Sequence, residues 1–263
     1  MSSKRRGTVI PLSPARRLVA ELMHQARKAP SVPLARTCRI AELAEAREQA
    51  SPAPSWMAVF VRAYALAGRT FPELRRAWVP FPWAHLYEHP TSEAAVLVER
   101  EVRGEPMVLG AKIRQPETGT LSAIDGHLRR YRTRPAEQVP AFRQLMRLAS
   151  LPWPLNRFFL WKTLSVSGYR RACRLGTFVI SSLGSLGAEQ MHPLTPLTTY
   201  FTFGPVAPDG TVTLKVVYDH RVMDGRCVAR ALAHVEELLN GVLLREVRAL
   251  RRPAPRSPAV RSA

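Results

Sequence analysis

Tyr218-Asp219-His220-Arg221-Val222-Met223-Asp224-Gly225 is the most informative stretch of the chain. The run before it, Thr211-Val212-Thr213-Leu214-Lys215-Val216-Val217-Tyr218, is rich in β-branched residues and predicts a long strand. Asp209-Gly210 leads into that strand as a hairpin turn, with an earlier strand at Thr199 to Gly204. After it, Val228, Leu232, Val235, Leu238 and Leu239 recur at helical spacing, so Asp224 is expected to cap a helix that Asn240-Gly241 ends. A histidine therefore closes a strand, and four residues later an aspartate and a glycine open a helix. That geometry holds an imidazole at the edge of a sheet, facing a cleft. Imidazole suits proton transfer because it titrates at about 6.5 when unperturbed. Asp224 can bond the backbone or orient a nearby arginine, and Gly225 permits close packing where a side chain would collide. Asp219 reads as solvated. The competing reading of His220 is a structural histidine at a strand end.

Working outward, the C-terminal third contributes a further strand at Thr177-Phe178-Val179-Ile180. Upstream, Ser13 and Pro14 predict the start of a helix carrying Leu18, Leu22 and Met23 on one face. A short strand is expected at about 34–40, with helices at 41–49, 55–68 and 135–149. Two strands at 94–102 and 107–113 flank a Gly104-Glu105 turn. Residues 1–8 are expected to be disordered, 9–245 to form one domain, and 246–263 to be a basic, proline-rich disordered tail.

The chain has 263 residues and a formal net charge of +19. Such charge can attract a polyanion or an anionic substrate, or be a compositional bias spread over solvated faces. Cys38, Cys173 and Cys227 are widely spaced and include no C-x-x-C pair, which argues against a disulfide framework and against a metal site. No apolar run is long enough for a bilayer span or a secretory signal, so a cytoplasmic location is expected.

Asp219 to Gly225 resembles the H-x-x-x-D-G signature of the acyltransferase component of 2-oxo acid dehydrogenase complexes and of the related chloramphenicol acetyltransferases. Gly176-Thr177-Phe178-Val179-Ile180-Ser181-Ser182-Leu183-Gly184 is similar to the G-T-F-T-I-S-N-L-G block of the same family. Pro196 to Gly204 looks closer to the chloramphenicol acetyltransferase pattern. The likeness is strongest over 176–240, moderate at 55–75 and weak at 10–47.

The resemblance implies an α/β fold, the chloramphenicol acetyltransferase-like two-layer sandwich with a mixed sheet. It implies that His220 is the general base, that Ser181 (or Ser182) donates to the oxyanion, and that Asp224 is structural and pairs with Arg16. It also implies a homotrimer with each active site between subunits, and coenzyme A thioester as a co-substrate. No lipoyl domain or covalent cofactor is expected in this chain, and the family's central G-L-V-V-P-V-I strand is replaced by Met107 to Ile113. A small thiol or hydroxyl acceptor is therefore expected, or a lipoyl domain carried by another chain. Leu151 to Lys162 mixes aromatics, prolines and basic residues. Burial against the core or between subunits is the leading reading of that segment, ahead of an acyl-chain pocket or a membrane surface. A non-catalytic trimeric scaffold is the rival to catalysis. Nucleic-acid binding, which charge alone would suggest, is not expected.

Overall fold

The computed structural model describes residues 7–102 and 104–250. Helix α1 (Pro14–Ala26) starts where the Ser13 hydroxyl accepts the Arg16 N–H, with Pro14 in the first turn. It is followed by β1 (Ser31–Arg39), α2 (Ala41–Glu48) and α3 (Trp56–Thr70). Strands β2 (Arg76–Val79) and β3 (His85–Glu88) form a small antiparallel pair of their own. Then come β4 (Glu93–Val102), β5 (Glu105–Arg114), α4 (Leu121–Thr133), α5 (Pro140–Ser150), α6 (Trp153–Ser165) and α7 (Gly168–Leu175). The C-terminal part contains β6 (Phe178–Ser181), β7 (Thr199–Phe203), β8 (Thr211–Asp219), α8 (Gly225–Leu238) and α9 (Leu244–Arg248).

Six strands form one mixed sheet in the order β1-β8-β7-β6-β4-β5. Strand β6 runs parallel to both β4 and β7, and the remaining pairs are antiparallel. Alternate strand residues face opposite sides. On one face Val96, Phe178, Ile180, Phe201 and Val216 pack against α3 and α8 in the main core. There Tyr64 stacks on Phe201, ring centroids 4.6 Å apart, and Phe60 meets Phe203 at 4.2 Å. On the other face Ala95, Val179, Tyr200 and Val217 form a smaller cluster with Leu160 and Leu164 of α6. The expected mixed sheet and main helical layer are thus present, and α1 and α6 add cover on the second face.

Several boundaries differ from expectation. Asn240-Gly241 does not end the C-terminal helix. A π turn, Leu239–Leu243, carries the chain on into α9. Leu239, Leu243 and Val247 are buried, so their contacts with the core hold the helix through a glycine that would otherwise stop it. The domain end placed at 245 therefore cuts through α9. Residues 1–6 and 251–263, which carry most of the two expected disordered termini, lie outside the described residues. All three cysteines are free, and burial pushes the Cys38 thiol up to about 11. Among the described residues, no helix is long and apolar enough to cross a membrane.

Candidate active site

Strand β8 ends in a turn that is pinned from three directions. The His220 N–H donates to the Pro30 carbonyl at 3.0 Å, just before β1. The Asp219 N–H donates to the Thr198 carbonyl at 2.9 Å, and the Val222 N–H returns to the Asp219 carbonyl at 3.0 Å. The His220 side chain is 48% exposed. Its ring is therefore open to an incoming group while its backbone is fixed.

Asp219 is 2% exposed, which corrects the expectation that it is solvated. Its carboxylate accepts from the Arg221 backbone N–H at 3.1 Å, from Nε at 2.9 Å and from Nη2 at 2.7 Å. The Arg221 guanidinium also lies over the Trp78 ring, 5.4 Å from its centroid. Beneath them, fully buried Arg171 donates to the carbonyls of Trp78 and Pro196 at 2.9 and 2.8 Å. Burial pushes the Arg171 guanidinium down to about 10, against the opposing pull of Asp219. The buried Asp219 oxygens are thus satisfied by Arg221 rather than left unpaired. The group holds the base of the His220 turn.

Asp224 occupies the N-cap position of α8, but its side chain accepts no capping hydrogen bond and is 85% exposed. Its Oδ1 lies 3.8 Å from His220 Nδ1, an ion-pair distance rather than a hydrogen bond. The expected Arg16–Asp224 pair is absent within the chain. Helix α1 packs on α5 and α6, whereas α8 packs on α3 and β1, so the two side chains belong to different layers. Gly225 is where close packing was expected: an added Cβ would meet the Tyr218 hydroxyl at 3.1 Å.

Ser181 ends β6 and is buried. Its hydroxyl donates to Gln190 Oε1 at 2.8 Å and lies 2.9 Å from the Tyr200 hydroxyl. Ser182 is committed to its own loop, donating to the Phe203 carbonyl and accepting from the Gly184 N–H. Of the two serines, Ser181 is thus the one held within a side-chain cluster. At the other end of the block, Gly176 has φ +108°, and an added Cβ would fall 2.8 Å from the Glu93 carbonyl oxygen. Only glycine fits there.

The register shows how the two candidate groups are related. Ser181 pairs with Thr202, and Thr202 pairs with Lys215. His220 lies beyond Lys215, five strand positions on, or about 16 Å at ~3.3 Å per residue. The two side chains therefore sit at opposite ends of the sheet. Within one chain they do not share a cleft, and the expected site between subunits places them on different copies.

Residues 4–98 match the family model described as 2-oxoacid dehydrogenases acyltransferase (catalytic domain). A dihydrolipoamide acetyltransferase (E2p) from Azotobacter vinelandii superposes with a TM-score of 0.66 at 18% identity, over 94% of this chain and 95% of that one. That protein's catalytic mechanism was investigated at a serine, a histidine and an asparagine. A catalytic core of the 2-oxoacid dehydrogenase complex from Thermoplasma acidophilum gives 0.64 at 12% identity, over 89% and 99%. A probable dihydrolipoamide acetyltransferase from Listeria monocytogenes gives 0.61 at 17%, over 95% and 97%. The fold is that of a 2-oxoacid dehydrogenase acyltransferase catalytic domain. The matched family and these solved structures are acyltransferases. No curated protein matches the chain in sequence.

Sequence reasoning missed Arg171, Gln190 and Tyr200. Arg171 sits among Arg170 and Arg174, and nothing in so arginine-rich a chain marks the one that is buried. Tyr200 carried a usable signal, because alternation along β7 places it opposite Phe201 and on the same face as Val179. Among the described residues, no group of three or more His, Cys, Asp or Glu side chains could hold a metal ion.

Proposed function

We propose that the protein is an acyltransferase that moves an acyl group from a coenzyme A thioester to a thiol or hydroxyl acceptor. The observation that carries this reading is the half-exposed His220 imidazole at the end of β8, on a turn fixed by Pro30, Thr198 and the buried Asp219. His220 Nε2 takes the proton from the acceptor as its sulfur or oxygen attacks the thioester carbonyl carbon. The Ser181 O–H turns from Gln190 Oε1 to donate a hydrogen bond to the oxyanion that forms. Collapse of the intermediate breaks the carbon–sulfur bond, and the leaving thiolate takes the proton back from the imidazolium. In the Azotobacter enzyme the investigated histidine and asparagine are four residues apart, the spacing of His220 and Asp224 here.

Because one chain separates His220 from Ser181, the complete site is assembled between two copies. A homotrimer, with each chain giving its histidine to one neighbour and its serine to the other, closes such a head-to-tail contact. The solved relatives include dihydrolipoamide acetyltransferases and the cubic core of a pyruvate dehydrogenase multienzyme complex. That favours a second acceptor, a lipoyl group carried by another chain.

The test is thiol release from acyl-coenzyme A donors, with dihydrolipoamide and small thiols as acceptors, in wild type and His220→Ala. The expected loss is about 10²–10⁴ in rate. Equal turnover in both proteins removes the mechanism and leaves the scaffold reading.

A further inference from the structure

The proposed chemistry leaves unused most of the second face of the sheet. A cavity of about 920 Å³ lies there, between the sheet and helices α1, α4, α5 and α6. That is near the top of the ~300–1,000 Å³ range of small-ligand sites. Its floor includes Ala95, Val179 and Tyr200, and its roof includes Leu22, Leu148 and Leu160. Folded interiors are close-packed, and an apolar space of this size forfeits dispersion contacts unless something fills it.

Two observations indicate what fills it. Tyr200 is on its floor, and the hydroxyl of that residue lies 2.9 Å from Ser181 Oγ, so a single side chain links the cavity lining to the group assigned to the oxyanion. Arg114, Arg147 and Arg174 line it and are exposed, which places them where the cavity meets water. Among the described residues none of the three has a carboxylate within 4.0 Å, whereas Lys112 in the same lining is held by Glu93 at 3.3 Å. An apolar interior with an unneutralised cationic opening suits an amphiphile with an anionic carrier or head.

We infer that this cavity takes a medium- or long-chain acyl group, which makes the substrate class fatty-acyl rather than acetyl thioesters. The place of the carbonyl beside Ser181 rests on the acyltransferase reading, but binding of the chain does not. Gly110 offers a direct way to fill the space. It lines the cavity, and the nearest atom to an added Cβ is that of Ala95, 4.0 Å away. Val108, on the same face of β5 and largely exposed, is a second position that tolerates change.

The experiment uses the full chain and displaces the fluorescent probe 1-anilinonaphthalene-8-sulfonate with saturated fatty acids from octanoate to tetradecanoate. In parallel, thiol release is measured from acetyl-, octanoyl- and dodecanoyl-coenzyme A. Wild type and His220→Ala should bind alike and tighten about fourfold per added methylene. Gly110→Trp and Val108→Trp should each weaken dodecanoate about tenfold or more, the worth of two methylenes. Both variants should retain acetyl transfer and lose dodecanoyl transfer.

Absence of displacement by any fatty acid, or affinity independent of chain length, overturns the proposal. So does a cavity closed by a second copy of the chain, seen as the tryptophan variants breaking the assembly while no variant binds fatty acid. Chain-length-dependent binding without thiol release from any donor keeps the cavity assignment and removes the transferase reading.

Discussion

The two ends of the central sheet are built on opposite principles. At the His220 end the candidate base is half exposed and its support is ionic, because the buried Asp219 carboxylate accepts from Arg221. At the Ser181 end the candidate oxyanion donor is buried and its support is neutral, through Gln190 and Tyr200 beside an apolar cavity. A base must meet its acceptor and then shed a proton, so it gains from access. An oxyanion donor gains from exclusion of water, because its hydrogen bond strengthens as the local dielectric falls. Opposite ends of one sheet hold these two environments apart, so the proposed function needs a neighbouring copy to bring them together.

If the ionic layer supports the His220 end, breaking it should be the most damaging change to stability. Asp219→Ala removes the buried carboxylate that accepts three hydrogen bonds from Arg221 and attracts buried Arg171 from further off. It should cost about 3–5 kcal/mol, seen as a lower denaturation midpoint. A midpoint unchanged from wild type would mean that the layer is incidental.

At the other end, Ser181→Ala should lower thiol release about 10²–10³-fold, while Ser182→Ala, which leaves the Phe203 carbonyl and the Gly184 N–H without their partner, should affect stability more than rate. The reverse order would transfer the oxyanion role to Ser182.

The smallest effect concerns pH. His89, buried after β3 with its Nδ1 3.0 Å from the Tyr87 hydroxyl, is held below the usual imidazole value by burial, and then by Lys112 and Arg75. The unfolded chain therefore takes up this proton first as pH falls below 6.5, the ordinary value. Folded stability should decline from there down to the depressed native value and then level off. Melting curves at pH 7.5 and 5 should show the decline, and His89→Gln should reduce it without altering the pH dependence of transfer. That separates acid loss of fold from the pH dependence of transfer itself.

Much of the C-terminal third was legible, because β-branched runs, the Asp209-Gly210 turn and the spacing of Val228, Leu232 and Val235 all point the same way. The strand pattern put His220 at the close of β8, and it follows directly after Asp219, the last residue of that strand, while Ser181 ends β6. Local pattern did not reveal what long-range packing decides. Asp219 looked solvated beside a charged neighbour, yet it is buried and acts electrostatically on Arg171, on a helix 48 residues upstream. Helices α4, α6 and α7 were hidden by Gly126 and by the aromatic and arginine mixture of 153–175, which carries no clean apolar stripe. Helix α6 shows why: Leu160 and Leu164 are buried, while Trp153 and Phe158 remain exposed. Arg157 pins that helix to Glu21 of α1 at 2.9 and 3.0 Å, so the segment is neither wholly core nor free surface.

The most direct test of a site divided between copies is to co-express His220→Ala with Ser181→Ala chains, each inactive alone, and to assay the mixed assembly. With equal amounts and random closure of a ring, about a quarter of the interfaces join an intact histidine to an intact serine, so about a quarter of wild-type turnover should return. A mixed assembly no more active than either variant would show that the two residues do not complete each other across an interface.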